Sequence, residues 1–305
     1  AHLLEHLMLT GTRHIPRGQA VRILDTAGVS DSNGSTDFDR TNYFFTLPSN
    51  QLELGLWIKS DMLGYMIDQV DAVALANQQD VVRNERRQSV ENRPYGIVEE
   101  TLYANLFPEG HPYRPMVIGT HADIQNAKLD DVKHFAKTFY RPNNATLVLV
   151  GDFEPKATKK LLEKYFGALK AGDAVPPVVV PQAKITAEKH VVVTDHVELP
   201  KLYIAWQTSP ILKPGDAELG LAAQILGGGK ASRLYKSLVY DKQIAQSVNV
   251  YQYSLSLGSV FTIEVTARPG QSAEALEKAV DAELDKLAVA APDEAELARA
   301  RNTIE

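Results

Sequence analysis

His2, Glu5 and His6 stand within five residues at the start of the chain, in the stretch His2-Leu3-Leu4-Glu5-His6. On an α-helix, residues four apart lie on one face, one turn apart, with a rise between them of about 6 Å. Two imidazoles so placed can converge on one ion, and imidazole is a good zinc ligand. Glu5 can reach a water on that ion without being a ligand itself. Zinc lowers the pKa of such a water towards neutrality, and a nearby carboxylate can take the proton and hand it to a leaving amine. The flanking Leu3, Leu4, Leu7, Met8 and Leu9 are apolar, so this helix is expected to be largely buried. Two histidines and a carboxylate in a buried helix need partners, and a metal supplies one. The alternative, two surface histidines on an amphipathic helix, fits those flanks less well.

A catalytic zinc site takes three protein ligands plus a water, and two histidines with one carboxylate form a standard set. Glu85, Glu91, Glu99 and Glu100 are available further along. Glu85 lies in Val81-Val82-Arg83-Asn84-Glu85-Arg86-Arg87-Gln88, where Val81 and Val82 mark the buried side of a helix. Spacing alone does not choose it, and a solvated charge paired with Arg86 or Arg87 is the simpler account of it.

The elements that would position these residues read as follows. The first helix ends near Gly11, and residues 28–36, rich in Gly, Ser, Asn and Asp, read as loop. Thr41–Leu47 has the β-branched and aromatic content of a strand. Apolar spacing predicts a long helix from Gln51 to about Val73 and another from Gln79 to Glu91, with a further one beginning near Tyr95. Leu129–Tyr140 and Pro155–Leu169 are helical. Thr146–Gly151 is a short apolar run that reads as a buried strand. Residues 173–187 contain Pro176, Pro177 and Pro181 and read as a linker. Beyond it, His190–Asp195, Leu202–Gln207, Ala245–Leu255 and Val260–Ala267 read as strands. Asp216–Leu226 reads as a helix, as does the segment after Ser272, which can serve as its N-cap. The division expected is 1–172, 173–187 and 188–305. If the helix at 216–226 corresponds to the one at 1–9, Gly220, Ala223 and Gln224 occupy the places of His2, Glu5 and His6, so the second domain carries no metal motif.

The chain has 305 residues, 44% hydrophobic and 23% charged, with a net charge of −6 and no cysteine. This is an ordinary globular composition. The charge argues against nucleic acid as partner, thiolate ligands are excluded, and no apolar run approaches the roughly 20 residues of a membrane span. The chain opens and closes inside helical patterns, so a piece of a longer polypeptide, truncated at both ends, is expected. Gly227-Gly228-Gly229-Lys230 does not meet the P-loop pattern, since no Gly stands five before Gly229 and Ala231 follows the Lys. His14, His111, His121, His134, His190 and His196 show no ligand spacing.

These residues together resemble the pitrilysin–insulinase family, which includes mitochondrial processing peptidases, and the bacterial members in particular. The resemblance rests on Ala1-His2-Leu3-Leu4-Glu5-His6-Leu7-Met8-Leu9-Thr10-Gly11-Thr12, on Asn33-Gly34-Ser35-Thr36 and Asp39-Arg40-Thr41-Asn42-Tyr43, on residues 81–88, on His111-Pro112-Tyr113 and on Tyr140-Arg141-Pro142-Asn143-Asn144-Ala145. It implies an α+β fold of two tandem, structurally similar α/β-roll domains of the processing-peptidase type. It implies His2 and His6 as zinc ligands and Glu5 as general base, with one zinc per catalytic domain. The family's third ligand follows some 75–80 residues after the motif. Here 78 residues lie between His6 and Glu85, which makes Glu85 that ligand.

By the same resemblance, Asn33, Gly34, Ser35 and Thr36 form an edge strand to which peptide substrate adds through main-chain hydrogen bonds. Gln78 stands where many members carry an auxiliary glutamate, which puts that role in doubt. An Arg and a Tyr of the family, which hold substrate and stabilise the oxyanion, map to Val239 and Gln246. A second, similar half, in the same polypeptide or as a partner subunit, would then supply the pair. The activity implied is zinc-dependent endopeptidase action on peptides or small unfolded polypeptides. The alternative is a non-catalytic scaffold or assembly subunit on the same fold. The sequence leaves the compartment open, with a bacterial periplasmic or secreted location favoured by the resemblance.

Overall fold

The computed structural model describes residues 1–8, 10–181 and 185–305. Leu9, expected among the apolar flanks of the first helix, and residues 182–184 of the expected linker lie outside the described residues. Two compact units emerge: residues 1–96 with 115–179, and residues 97–114 with 180–305. The segment 97–114, which precedes the sequence-based boundary, thus belongs with the second unit.

The first unit begins with helix α1 (His2–Met8) and α2 (Gln19–Thr26). A hairpin follows, β1 (Asp31–Thr36) antiparallel to β2 (Thr41–Thr46), with Thr36 opposite Thr41. Residues 31–36, read as loop from their composition, are therefore a strand. Polar residues of low β propensity are held extended because β2 completes their ladder. Helix α3 (Leu52–Tyr65) and helix α4 (Ala72–Arg86) come next. The long helix expected to Val73 breaks at residues 66–70, and Asp71 starts a new one by accepting from Ala74 N at 2.8 Å, an ordinary N-cap. The first unit is completed, beyond the segment carrying α5 (Val98–Leu106), by α6 (His121–Asn126), α7 (Leu129–Phe139) and α8 (Pro155–Phe166). Its core gathers Leu4, Leu7 and Met8 of α1, Ile58 and Met62 of α3, Ala74 and Leu75 of α4, and Val132 and Ala136 of α7.

The second unit comprises α5, β3 (Lys201–Thr208), α9 (Asp216–Gly227), β4 (Ala245–Tyr253), β5 (Ser259–Ala267), α10 (Ala273–Val289) and α11 (Glu294–Ile304). Among the described residues, its three strands are antiparallel in the order β3-β5-β4. The central β5 is buried along almost its whole length, and Ile263, Val265 and Ala267 pack against Leu276 and Val280 of α10. The glycine cluster at 227–229 has a packing cause: a Cβ on Gly227 would lie 2.4 Å from Val250 Cγ2 of β4. Ser272 caps α10 as expected, accepting from Ala275 N.

Two expected strands, 146–151 and 190–195, do not form, and neither segment has a ladder partner among the described residues. Without a partner, a β-branched apolar run has nothing to satisfy its backbone or cover its side chains, and Val148, Val150 and Val192 are 75%, 88% and 94% exposed.

Arg233 grips Glu296 of α11 in a two-pronged ion pair, Nε to Oε1 at 2.7 Å and Nη2 to Oε2 at 2.6 Å. The guanidinium holds the Glu296 carboxyl at about 2, well below its ordinary 4.5. A depressed folded-state value gives stability that is complete above about 4.5 and is lost as pH falls through about 2. Glu296→Gln is expected to lower unfolding stability at pH 7 by about 1–3 kcal/mol. Denaturant titrations should show the gap between variant and parent shrinking across that acid window.

Candidate metal centre

Helix α1 is short, and its faces are sharply divided. Leu4, Leu7 and Met8 are buried in the first unit's core, while His2 and His6 share another side with their rings 4.8 Å apart, edge to face. Thr10 closes the helix by donating from Oγ1 to Leu7 O. The chain beyond is pinned to α3: Thr12 Oγ1 donates to Asp61 Oδ2, His14 Nδ1 lies 2.5 Å from Asp61 Oδ1, and Arg13 N donates to Tyr65 O. Asp61 is 2% exposed, so these partners are what make its burial tolerable.

Helix α4 brings the third group. Val82 is fully buried whereas Val81 is 46% exposed, so only Val82 marks the core side. Glu85 faces α1, with Oε1 3.7 Å from His2 Nε2 and Oε2 3.2 Å from His6 Nε2. One donor atom from each of His2, His6 and Glu85 lies within 4.8 Å of the others. Glu91 is engaged elsewhere: beyond α4 the chain makes a wide helical turn over Arg87–Glu91, and Glu91 Oε1 sits 3.3 Å from Arg86 Nε and 2.8 Å from His121 Nε2. Glu99 and Glu100 lie on α5 in the other unit. Gln78 stands on α4, half-buried.

Glu5 is 6% exposed. Its carboxylate lies on β1, where side chains alternate between faces and Gly34 and Thr36 share the face turned to it. A Cβ on Gly34 would meet Glu5 Oε1 at 2.8 Å, so glycine leaves the room the carboxylate fills. Thr36 Oγ1 donates to Glu5 Oε2. On the other face, Ser35 Oγ donates to Asn42 Oδ1, and Asn33 Oδ1 accepts from Gly34 N. Thr41, Tyr43 and Tyr140 complete the surroundings. In the sequence all three served to mark secondary structure and the family resemblance, since nothing in their spacing points to Glu5.

The donor set suits a zinc ion: two imidazole nitrogens and a carboxylate, the catalytic combination. Glu85 Oε2 is a buried atom with no hydrogen bond, as expected of a carboxylate arranged for an ion rather than for its neighbours. A second donor group, Glu188, His190 and Glu277, lies in the other unit with Glu188 and His190 exposed and Glu277 half-buried, and nothing further marks it as a site.

Residues 1–118 match the family described as Insulinase (Peptidase family M16), and residues 126–304 match Peptidase M16 inactive domain. The zinc protease PqqE of Helicobacter pylori is 32% identical over 303 residues, covering 97% of this chain and 67% of that protein. An uncharacterized zinc protease of Streptomyces coelicolor is 25% identical, covering 98% of this chain and 65% of that protein. The chain therefore spans about two thirds of the length of these relatives. Among solved structures, a protease from Helicobacter pylori superposes with a TM-score of 0.93 at 30% identity, over 99% of this chain and 72% of that one. The first half of the periplasmic protease PqqL from Escherichia coli superposes with a TM-score of 0.74 at 19% identity, over 99% and 66%.

Burial, followed by the charge of His6, lowers the His2 imidazole from its ordinary 6.5 to about 4. The ring is then neutral at pH 7, the form a metal needs. In the metal-free chain the His2 ring proton should titrate by NMR near 4. Because the unfolded chain takes up this proton first, stability should fall as pH drops from 6.5 to about 4. A midpoint near 6.5 would show the ring to be solvated.

Proposed function

The chain belongs to the insulinase family of peptidases, family M16, and from that membership we propose that it is a zinc-dependent endopeptidase acting on peptides or small unfolded polypeptides. The observation that carries the reading is the convergence of His2, His6 and Glu85 within 4.8 Å beside the buried carboxylate of Glu5.

His2 and His6 through Nε2, with the Glu85 carboxylate, would hold the ion. When bound there, zinc supplies Lewis acidity, making a water acidic and polarising a carbonyl. Glu5 is the general base: its carboxylate takes a proton from the attacking water and returns it to the leaving amine nitrogen, so that amide cleavage is balanced by one proton moved twice. Among the described residues, β1 pairs with β2 along one edge only. Its other edge offers Asn33, Gly34, Ser35 and Thr36 to an extended peptide, which would add as a strand with little demand on sequence. Val239 and Gln246 stand where the family resemblance expects an Arg or a Tyr. A second half, in the same polypeptide or as a partner subunit, would supply that pair.

The match to an inactive-domain description favours a second reading, a non-catalytic scaffold. That match covers residues 126–304, whereas His2, Glu5, His6 and Glu85 all precede it, which is why the peptidase reading stands first.

Two sets of variants test the assignment. Glu5→Gln should keep about one zinc per chain and lose hydrolysis of a quenched fluorescent peptide by roughly 10²–10⁴-fold. Cleavage at the parent rate would remove Glu5 from the mechanism. Glu85→Ala should weaken zinc binding, measured by competition with a chromophoric chelator, while Glu91→Ala leaves it unchanged. The reverse pattern would move the third ligand to Glu91. Assaying the chain with and without a second half separates an incomplete enzyme from a scaffold.

A further inference from the structure

Glu5 has two carboxylate oxygens, and the structure treats them differently. Oε1 lies against Gly34, while Oε2 accepts the hydroxyl proton of Thr36. A threonine hydroxyl has one proton to give and two lone pairs to accept with. With its proton committed to Glu5, Thr36 must accept from its neighbour Thr41, whose Oγ1 is 3.0 Å away. The two threonines are directly opposed at the end of the hairpin, so their side chains point the same way. Near them, the Tyr43 and Tyr140 hydroxyls are 3.2 Å apart. Burial raises both phenols above their ordinary value, and the Glu5 charge adds to the effect, so both hydroxyls stay neutral.

We propose that Thr36 is a positioning residue for the general base: its hydroxyl, backed by Thr41, fixes one oxygen of Glu5 and leaves the other to meet the attacking water. This rests on the reading of Glu5 as the base. It also gives Thr36 a side-chain task distinct from the main-chain contact with substrate that β1 would make. A carboxylate held by one oxygen resists rotation about its terminal bond, and a base misplaced by about 1 Å can cost 10²-fold in rate.

Thr36→Val and Thr36→Ser separate the two tasks. Valine keeps the shape and the strand preference of threonine without the hydroxyl, so β1 and its backbone survive. In the zinc-loaded chain, Thr36→Val should lower kcat on a quenched fluorescent peptide by about 10- to 100-fold, with KM and zinc content unchanged, and Thr36→Ser should restore it. Crystal structures of the same variants should show the Glu5 carboxylate swung away from Gly34 in Thr36→Val and in its parent place in Thr36→Ser, with His2, His6 and Glu85 unmoved. A raised KM at unchanged kcat, no rescue by serine, or a carboxylate that stays in place in Thr36→Val would overturn the proposal. If the parent chain cleaves no peptide even when a second half is supplied, the peptidase reading of this chain fails, and the carboxylate's position alone decides for or against Thr36.

Discussion

The packing of α1 on α4 is the constraint on which the site depends. The side chains of His2, His6 and Glu85 can share an ion only if these two helices meet in one rotational setting each. Hydrophobic burial provides that setting: Leu4, Leu7 and Met8 of α1 and Ala74 and Leu75 of α4 enter the same core. A fully buried leucine contributes about 1.5–3 kcal/mol, so the apolar faces have ample free energy to impose an arrangement that the polar faces would resist. Two imidazoles and a carboxylate, partly withdrawn from water, are left facing one another. Within the protein their mutual partners are poor: Glu85 Oε2 is buried without a hydrogen bond.

Polar ties then hold α1 at both ends of its reach. Asp61 of α3 accepts from Thr12 and lies against His14, fixing the chain that leaves α1. The β1–β2 hairpin closes over Glu5 from the other side through Gly34 and Thr36. An anionic side chain 6% exposed is costly unless it is hydrogen-bonded, and Thr36 meets part of that cost. The proposed general base is thus held by the hairpin, and the proposed ligands by the helix pair.

Much of this was readable in the sequence because it is local. The i, i+4 spacing of His2 and His6 is a property of one helical turn, and the apolar flanks foretold its burial. The helices at 129–139, 155–166, 216–227 and 273–289 announced themselves by periodicity, and Ser272 by its capping chemistry. What depends on a partner far along the chain was not readable. Glu85 and Glu91 are equivalent until tertiary structure turns one towards His2 and His6 and the other towards Arg86 and His121. Composition made 31–36 a loop, and pairing with β2 made it a strand. The valines of 146–151 and 190–195 have the right residues for strands and no ladder partner among the described residues. Thr41, Tyr43 and Tyr140 carried no chemical signal in sequence, because their importance lies in what their hydroxyls reach.

The central claim is that one zinc ion sits between α1 and α4 on three named side chains. Anomalous diffraction at the zinc edge, from crystals of the chain grown with zinc, tests it most directly. The expected result is a single strong peak on this chain, about 2.0–2.2 Å from His2 Nε2, His6 Nε2 and a Glu85 carboxylate oxygen. A map without a peak there, or with its strongest peak on other residues such as Glu188, His190 and Glu277, would contradict the account.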